Sequence, residues 1–114
     1  MKMFEKLREK LIPKNQNSRA YRMQFARSLH GKSIRYVTER DENAKEHVIG
    51  HRGSVSLRDG ELLVFSDSEI IFRADAKAVL YSPLMSLDGV ILSGPDRITG
   101  KERTVVVYYL YYRK

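Results

Sequence analysis

Two histidines, His47 and His51, stand four positions apart, the spacing with which a helix presents two ligands to one zinc ion. They lie instead in a long run, HVIGHRGSVSL, that we predict to be a strand bent at Gly50 and Gly53. Residues four apart on a strand share a face but lie roughly 13 Å from one another, too far to hold one metal ion. Because no third ligand is apparent, we predict no metal site.

The positions of the aspartates also indicate a structural role and not a catalytic one. Asp59, Asp67, Asp88 and Asp96 all fall in predicted turns, where an aspartate bonds to nearby backbone N–H groups. The chain has no cysteine, no G-x-S-x-G, no phosphate-binding glycine-rich loop and no H-E-x-x-H. We therefore predict that it is not an enzyme, with no catalytic residue and no cofactor. Convergence of carboxylates from separate loops is the alternative that the sequence leaves open.

The positive charge is concentrated near the start of the chain. Residues 1–40 hold eleven Lys and Arg against three acids, whereas residues 41–114 hold ten against eleven. Such asymmetry indicates a polyanionic partner, although a lysine- and arginine-rich helix kept for solubility explains it equally well. The candidate polyanion-binding residues are Lys2, Lys6, Arg8, Lys10, Arg19, Arg22 and Arg27.

Two helices are predicted to carry these charges. In Met1–Leu11 the apolar residues form one stripe, which must dock on its own domain, on a partner chain or on a membrane surface. The second helix begins after Ser18, a good N-cap, and ends at Gly31. Its stripe of Tyr21, Phe25 and Leu29 is expected to pack on a sheet with the arginines outward. For His30, in the last turn, we predict a capping role.

The rest of the chain reads as short strands separated by turns. Gly53–Asp75 is a meander with Asp59-Gly60 as its first turn, and Asp88-Gly89 is predicted to form a second turn of the same kind. The last strand, Thr104–Tyr112, is apolar on both faces, so it is either covered on both sides or exposed at an interface. Four tyrosines on it form the candidate interaction surface: Tyr108, Tyr109, Tyr111 and Tyr112.

These elements predict an α+β, mainly β protein. We expect a strongly bent antiparallel sheet or small β-barrel of six to eight strands with one or two N-terminal helices. Residues 1–32 form the basic helical segment and residues 33–114 the barrel-like body, in one domain overall. No signal peptide and no apolar run of the roughly 20 residues that span a membrane is found, so a cytoplasmic protein is expected.

The body, from about Ser33 to Tyr112, resembles the bacterial pleckstrin-homology-like domains and small uncharacterised proteins of Gram-positive bacteria. The resemblance is in strand spacing, in the segments VSLRDGELLVF, EIIFRAD and LMSLDGVILSGPD. It implies a pleckstrin-homology-like barrel that binds a partner. That family ends in a capping helix, whereas this chain ends in TVVVYYLYYRK, so an N-terminal helix would have to plug the barrel.

A second segment, LHGKSIRYVTE, is similar to the start of an Sm-like RNA-binding barrel at Leu29, Gly31, Lys32 and Ile34. The later Asp and Asn of that family's nucleotide pocket are missing. Either resemblance implies a binding module. The function expected first is protein interaction or scaffolding, with a protein partner or a second copy of the chain. Nucleic-acid binding through the basic helices is the alternative, and association with an anionic lipid surface is the third.

Overall fold

The computed structural model describes residues 18–110. The predicted helix Met1–Leu11, with Lys2, Lys6, Arg8 and Lys10, and the last residues, with Tyr111 and Tyr112, lie outside the described residues. The elements are α1 (Arg19–Leu29), β1 (Ser33–Arg40), β2 (Glu46–Gly50), β3 (Gly53–Arg58), β4 (Glu61–Ser66), β5 (Glu69–Asp75), a 3₁₀ turn (Ala76–Ala78), β6 (Leu80–Pro83), β7 (Gly89–Pro95) and β8 (Glu102–Tyr109).

All eight strands join one antiparallel sheet in the order β5-β4-β3-β1-β8-β7-β6, and β2 pairs with β1 beside this path. The predicted mainly β fold is therefore confirmed, with a single α-helix among residues 18–110. The closed barrel is wrong, because β5 and β6 remain the two edges of an open sheet.

The bend predicted at the glycines is confirmed. β2 pairs with the second half of β1, and β3 pairs with the first two residues of β1. The two strands therefore follow one another along β1, with the bend between them at His51 and Arg52. A Cβ at Gly53 would lie 1.8 Å from the Phe65 carbonyl oxygen, so the two backbones touch where a side chain would stand.

The two predicted Asp-Gly turns differ. Asp59 and Gly60 both have positive φ, at 48° and 79°, which is the conformation expected of a two-residue hairpin turn. The second turn is predicted wrongly at Asp88-Gly89, since Gly89 is the first residue of β7 and Leu87 takes the positive φ, at 65°. Gly89 is needed for another reason: a Cβ there would lie 2.5 Å from the Val107 carbonyl oxygen of the neighbouring strand.

The predicted caps of α1 are present. The Ser18 hydroxyl accepts a hydrogen bond from the Tyr21 N–H at 3.0 Å, and Gly31 follows the helix with φ of 89°. His30 is the C-cap residue, and its Nδ1 accepts a hydrogen bond from the Leu57 N–H at 2.9 Å. This hydrogen bond ties the end of α1 to β3.

The core lies between α1 and the inner face of the sheet. Ala26 and Leu29 of α1 are buried in it, and the helix packs against the 3₁₀ turn, β3 and β6. On β8, Val105 and Val107 face this core, whereas Val106 is fully buried outside it, between Thr38 and Ile91 of the neighbouring strands. Both faces of β8 are therefore buried at its centre.

Candidate anion-binding surface

The exposed side of α1 carries two of the predicted polyanion-binding residues. Arg19, Met23 and Arg27 follow one another at four-residue intervals and so form a ridge, with the two arginines about 12 Å apart along the helix axis. Lys77 of the 3₁₀ turn stands beside this ridge. The four residues, with Ala20 and Gln24, line a shallow depression of about 510 Å³. We call Arg19, Arg27 and Lys77 the basic flank.

Arg22 has a different position from the one the sequence indicated. It is partly buried, and one of its terminal nitrogens donates a hydrogen bond to the Lys77 carbonyl oxygen at 2.7 Å. Its Nε is buried without a hydrogen-bond partner. The side chain therefore links α1 to the 3₁₀ turn and places a fixed positive charge behind the basic flank. The sequence does not reveal this, because Lys77 is 55 positions away.

Among residues 18–110, the cations of the basic flank form no ion pair, in contrast to several arginines of the sheet. Among the described residues, the ion pairs with Lys or Arg are all between strands or their loops. They join Arg40 to Glu46, Arg73 and Arg97 to Glu61, and Arg103 to Glu39 and Asp96. Residues 18–32 include no acid at all. Four arginines of the sheet and its loops are thus paired with carboxylates, whereas Arg35, Arg58 and the arginines of α1 form no ion pair among the described residues.

Asp75 is the acid next to this surface. With Arg19, Arg22 and Lys77 it lines a second depression of about 450 Å³. One of its carboxylate oxygens accepts a hydrogen bond from the Lys77 backbone N–H at 3.0 Å, which caps the 3₁₀ turn. Burial raises the pKa of nearby Tyr81; the Asp75 charge raises it further and the Arg22 charge opposes the rise.

The predicted tyrosine surface is divided by the structure. Tyr109 is only 9% exposed and packs in the core, with the Lys32 ammonium 5.0 Å from the centre of its ring. Tyr108 is half-buried on the other face of β8, where its ring lies 4.6 Å from that of Tyr36. Its hydroxyl donates to Glu46 at 3.0 Å. Of these two tyrosines, only Tyr108 offers its ring to the surface.

Sequence reasoning missed one polar cluster. The Arg103 guanidinium makes two bonds to Glu39, at 2.8 and 2.9 Å, one to Asp96 at 3.0 Å, and one to the Ile71 carbonyl oxygen at 3.0 Å. Asp96 also accepts from the backbone N–H groups of Arg73 and Thr99. A turn aspartate was predicted at position 96, but no local pattern indicates its bond to β5.

The pKa of Asp96 shows that the cluster holds a carboxylate ion. Burial opposes its ionisation and by itself raises the pKa, but the N–H groups of Arg73 and Thr99, the Thr99 hydroxyl and Arg103 together lower it to about 2. The bonds of Arg103 to Glu39 and Ile71 join β8 to β1 and β5, and the bond from the Arg73 N–H to Asp96 joins β5 to the β7–β8 loop. The cluster is therefore explained as a brace between strands.

Within residues 18–110, no three His, Asp or Glu side chains come close enough together to hold a metal ion. His47 lies 2.9 Å from the Asp41 carboxylate, in the hairpin between β1 and β2. In the same part of the chain, no helix has the length and apolar character needed to cross a membrane.

Comparison with known proteins finds no matching family model, curated protein or solved structure. The resemblances to pleckstrin-homology-like and Sm-like domains therefore stay predictions from strand spacing.

Proposed function

We propose that this protein is a non-catalytic protein-interaction module whose basic flank binds an acidic segment of a partner protein. One observation carries the proposal: Arg19, Arg27 and Lys77 lie on one surface and none of them is ion-paired among residues 18–110, whereas Arg40, Arg73 and Arg103 of the strands are. Charges left unpaired on one face attract an oppositely charged partner and orient its approach.

The surroundings of the basic flank favour a protein segment over nucleic acid. Met23 and Ala20 form an apolar surface between the two arginines, and this surface suits the apolar side chains of a peptide. The aromatic residues of α1 lie on its other flank, away from the basic flank, where Phe25 stacks on Tyr81 at 5.2 Å and Tyr21 meets the Phe25 ring edge-on at 5.9 Å. Single-stranded nucleic acids bind by stacking bases on free aromatic faces as well as by charge.

The test is a binding titration with two probes of equal charge, a fluorescent oligoglutamate and a fluorescent oligouridylate. We expect the oligoglutamate to bind more tightly. The double variant Arg19→Gln, Arg27→Gln should weaken its binding about tenfold, because exposed ion pairs contribute roughly 0.2–1 kcal/mol each. Added salt should weaken it as well.

The matched control removes the same charge elsewhere. Lys45 and Lys101 are exposed in the β1–β2 and β7–β8 loops, and Lys45→Gln with Lys101→Gln should change the affinity less than twofold. An equal loss in both double variants would show that net charge alone is responsible and would refute the assignment to the basic flank. Tighter binding of the oligouridylate, lost with the two arginines, would replace the proposal by nucleic-acid binding.

A further inference from the structure

A second feature of the surface involves residues other than those of the basic flank. Met85, in the loop between β6 and β7, is 99% exposed. The loop around it is closed by two backbone hydrogen bonds, from the Leu84 N–H to the Gly89 carbonyl at 3.0 Å and from the Leu87 N–H to the Leu84 carbonyl at 2.8 Å. An apolar side chain is therefore displayed at the tip of a tied loop.

A depression that suits a methionine side chain lies on the other flank of α1. Tyr21, Gln24, Phe25 and Ser28 line a depression of about 350 Å³. Its two rings meet edge to face, and the edges of aromatic rings are favourable contacts for a thioether sulfur. The depression has room for a methionine side chain.

The depression and the loop that carries Met85 are linked through β6. Phe25 stacks on Tyr81 of β6, and β6 leads into the loop that carries Met85. In a dimer with a two-fold axis the same contact forms twice. The projecting side chain of each copy enters the depression of the other, and the assembly closes.

The charges of the two regions are complementary. Residues 78–96 contain no Lys or Arg, and Asp88 lies in the loop itself, whereas residues 18–32 contain Arg22, Arg27 and Lys32 and no acid. An antiparallel approach of two copies brings the acidic loop of one to the basic helix of the other.

We propose that two copies of this chain form a symmetric dimer in which Met85 of each enters the depression between Tyr21 and Phe25 of the other. The contact is smaller than a standard interface, so the dimer is expected to be weak, with a dissociation constant of about 0.1 mM.

Sedimentation equilibrium of the full chain over a range of concentrations tests this. Met85→Ser should weaken self-association about tenfold or more, and Gln24→Trp, which fills the depression from an exposed helical position, should do the same. Ile98→Ser is the matched control, since Ile98 is 49% exposed in the β7–β8 loop. It should leave association within about twofold of the parent chain.

A direct readout accompanies the variants. In a mixture of isotope-labelled and unlabelled chains, intermolecular NOEs are expected from the Met85 methyl group to the rings of Tyr21 and Phe25. A chain that stays monomeric to about 1 mM overturns the proposal. So does a dimer that Met85→Ser leaves intact, or Met85-dependent binding to neutral phosphatidylcholine vesicles without self-association.

Discussion

At the scale of single residues, the roles of Asp96 and Arg103 are set by partners far away in the sequence. Arg103 bonds to Glu39 and to the Ile71 carbonyl oxygen of β5, and Asp96 accepts a hydrogen bond from the Arg73 N–H of β5. The side chain of Asp96 is fully buried and that of Arg103 is 13% exposed. A buried charge of this kind is tolerated only while its partners are in place.

Asp96 should make stability sensitive to acid. Its pKa is about 2 in the folded chain and near its ordinary value of 3.8 when unfolded, so its contribution is complete above about pH 4 and is lost as the pH falls to about 2. We expect Asp96→Asn to lower the free energy of unfolding by about 2 kcal/mol at pH 7 and by much less at pH 2. Urea unfolding at both pH values measures this.

The control for Asp96 is an exposed turn aspartate. Asp67 has a positive φ of 58°, which asparagine also tolerates, so Asp67→Asn should change stability little at either pH. If Asp96→Asn is as stable as the parent chain at pH 7, the carboxylate does not brace the strands.

At the scale of elements, the glycines show how a turn and a close approach differ. Gly60 has a positive φ with open space around it, while the Cβ of any other residue at Gly53 would meet the backbone of β4. The sequence predicts Gly60 in a turn and Gly53 at a bend, but only the pairing of β3 with β4 shows that Gly53 touches a neighbouring backbone.

We therefore expect Gly53→Ala to be far more destabilising than Gly60→Ala. The first change forces β3 away from β4 and should cost about 3 kcal/mol of unfolding free energy, whereas the second strains one turn residue by about 1 kcal/mol. Thermal and urea unfolding compare the two variants. Equal losses would mean that the bend between β2 and β3 relaxes freely.

At the scale of the whole molecule, an open sheet has two edges to protect. β6 is four residues long and ends in Pro83, features that discourage pairing with another strand. β5 is covered by the loop after β7: the Arg97 N–H donates to the Arg73 carbonyl oxygen at 2.7 Å, and Arg103 donates to that of Ile71. Side chains and a loop thus take the place of the strand pairing that would close a barrel.

Arg103→Lys should loosen this cover. A lysine cannot reproduce the forked bond to Glu39 together with those to Asp96 and Ile71, so we expect a loss of about 2 kcal/mol and faster hydrogen exchange in β5 than in β8. Arg73→Lys, which alters an exposed pair with Glu61, should have little effect on either. Unchanged exchange in β5 of Arg103→Lys would show that its edge is held by other contacts.

The sequence by itself determined the elements, because their signals are local. Alternation, Asp-Gly pairs and the Ser18 and Gly31 caps act within a few residues, and they placed α1 and the strands of the meander close to their observed bounds. The tertiary structure decided what depends on contacts far apart in the chain: that the sheet stays open, that Arg22 turns to Lys77, and that Asp96 and Arg103 brace β5. Lys77 joins the basic flank for the same reason, since the partners of a charge are set by the path of the whole backbone.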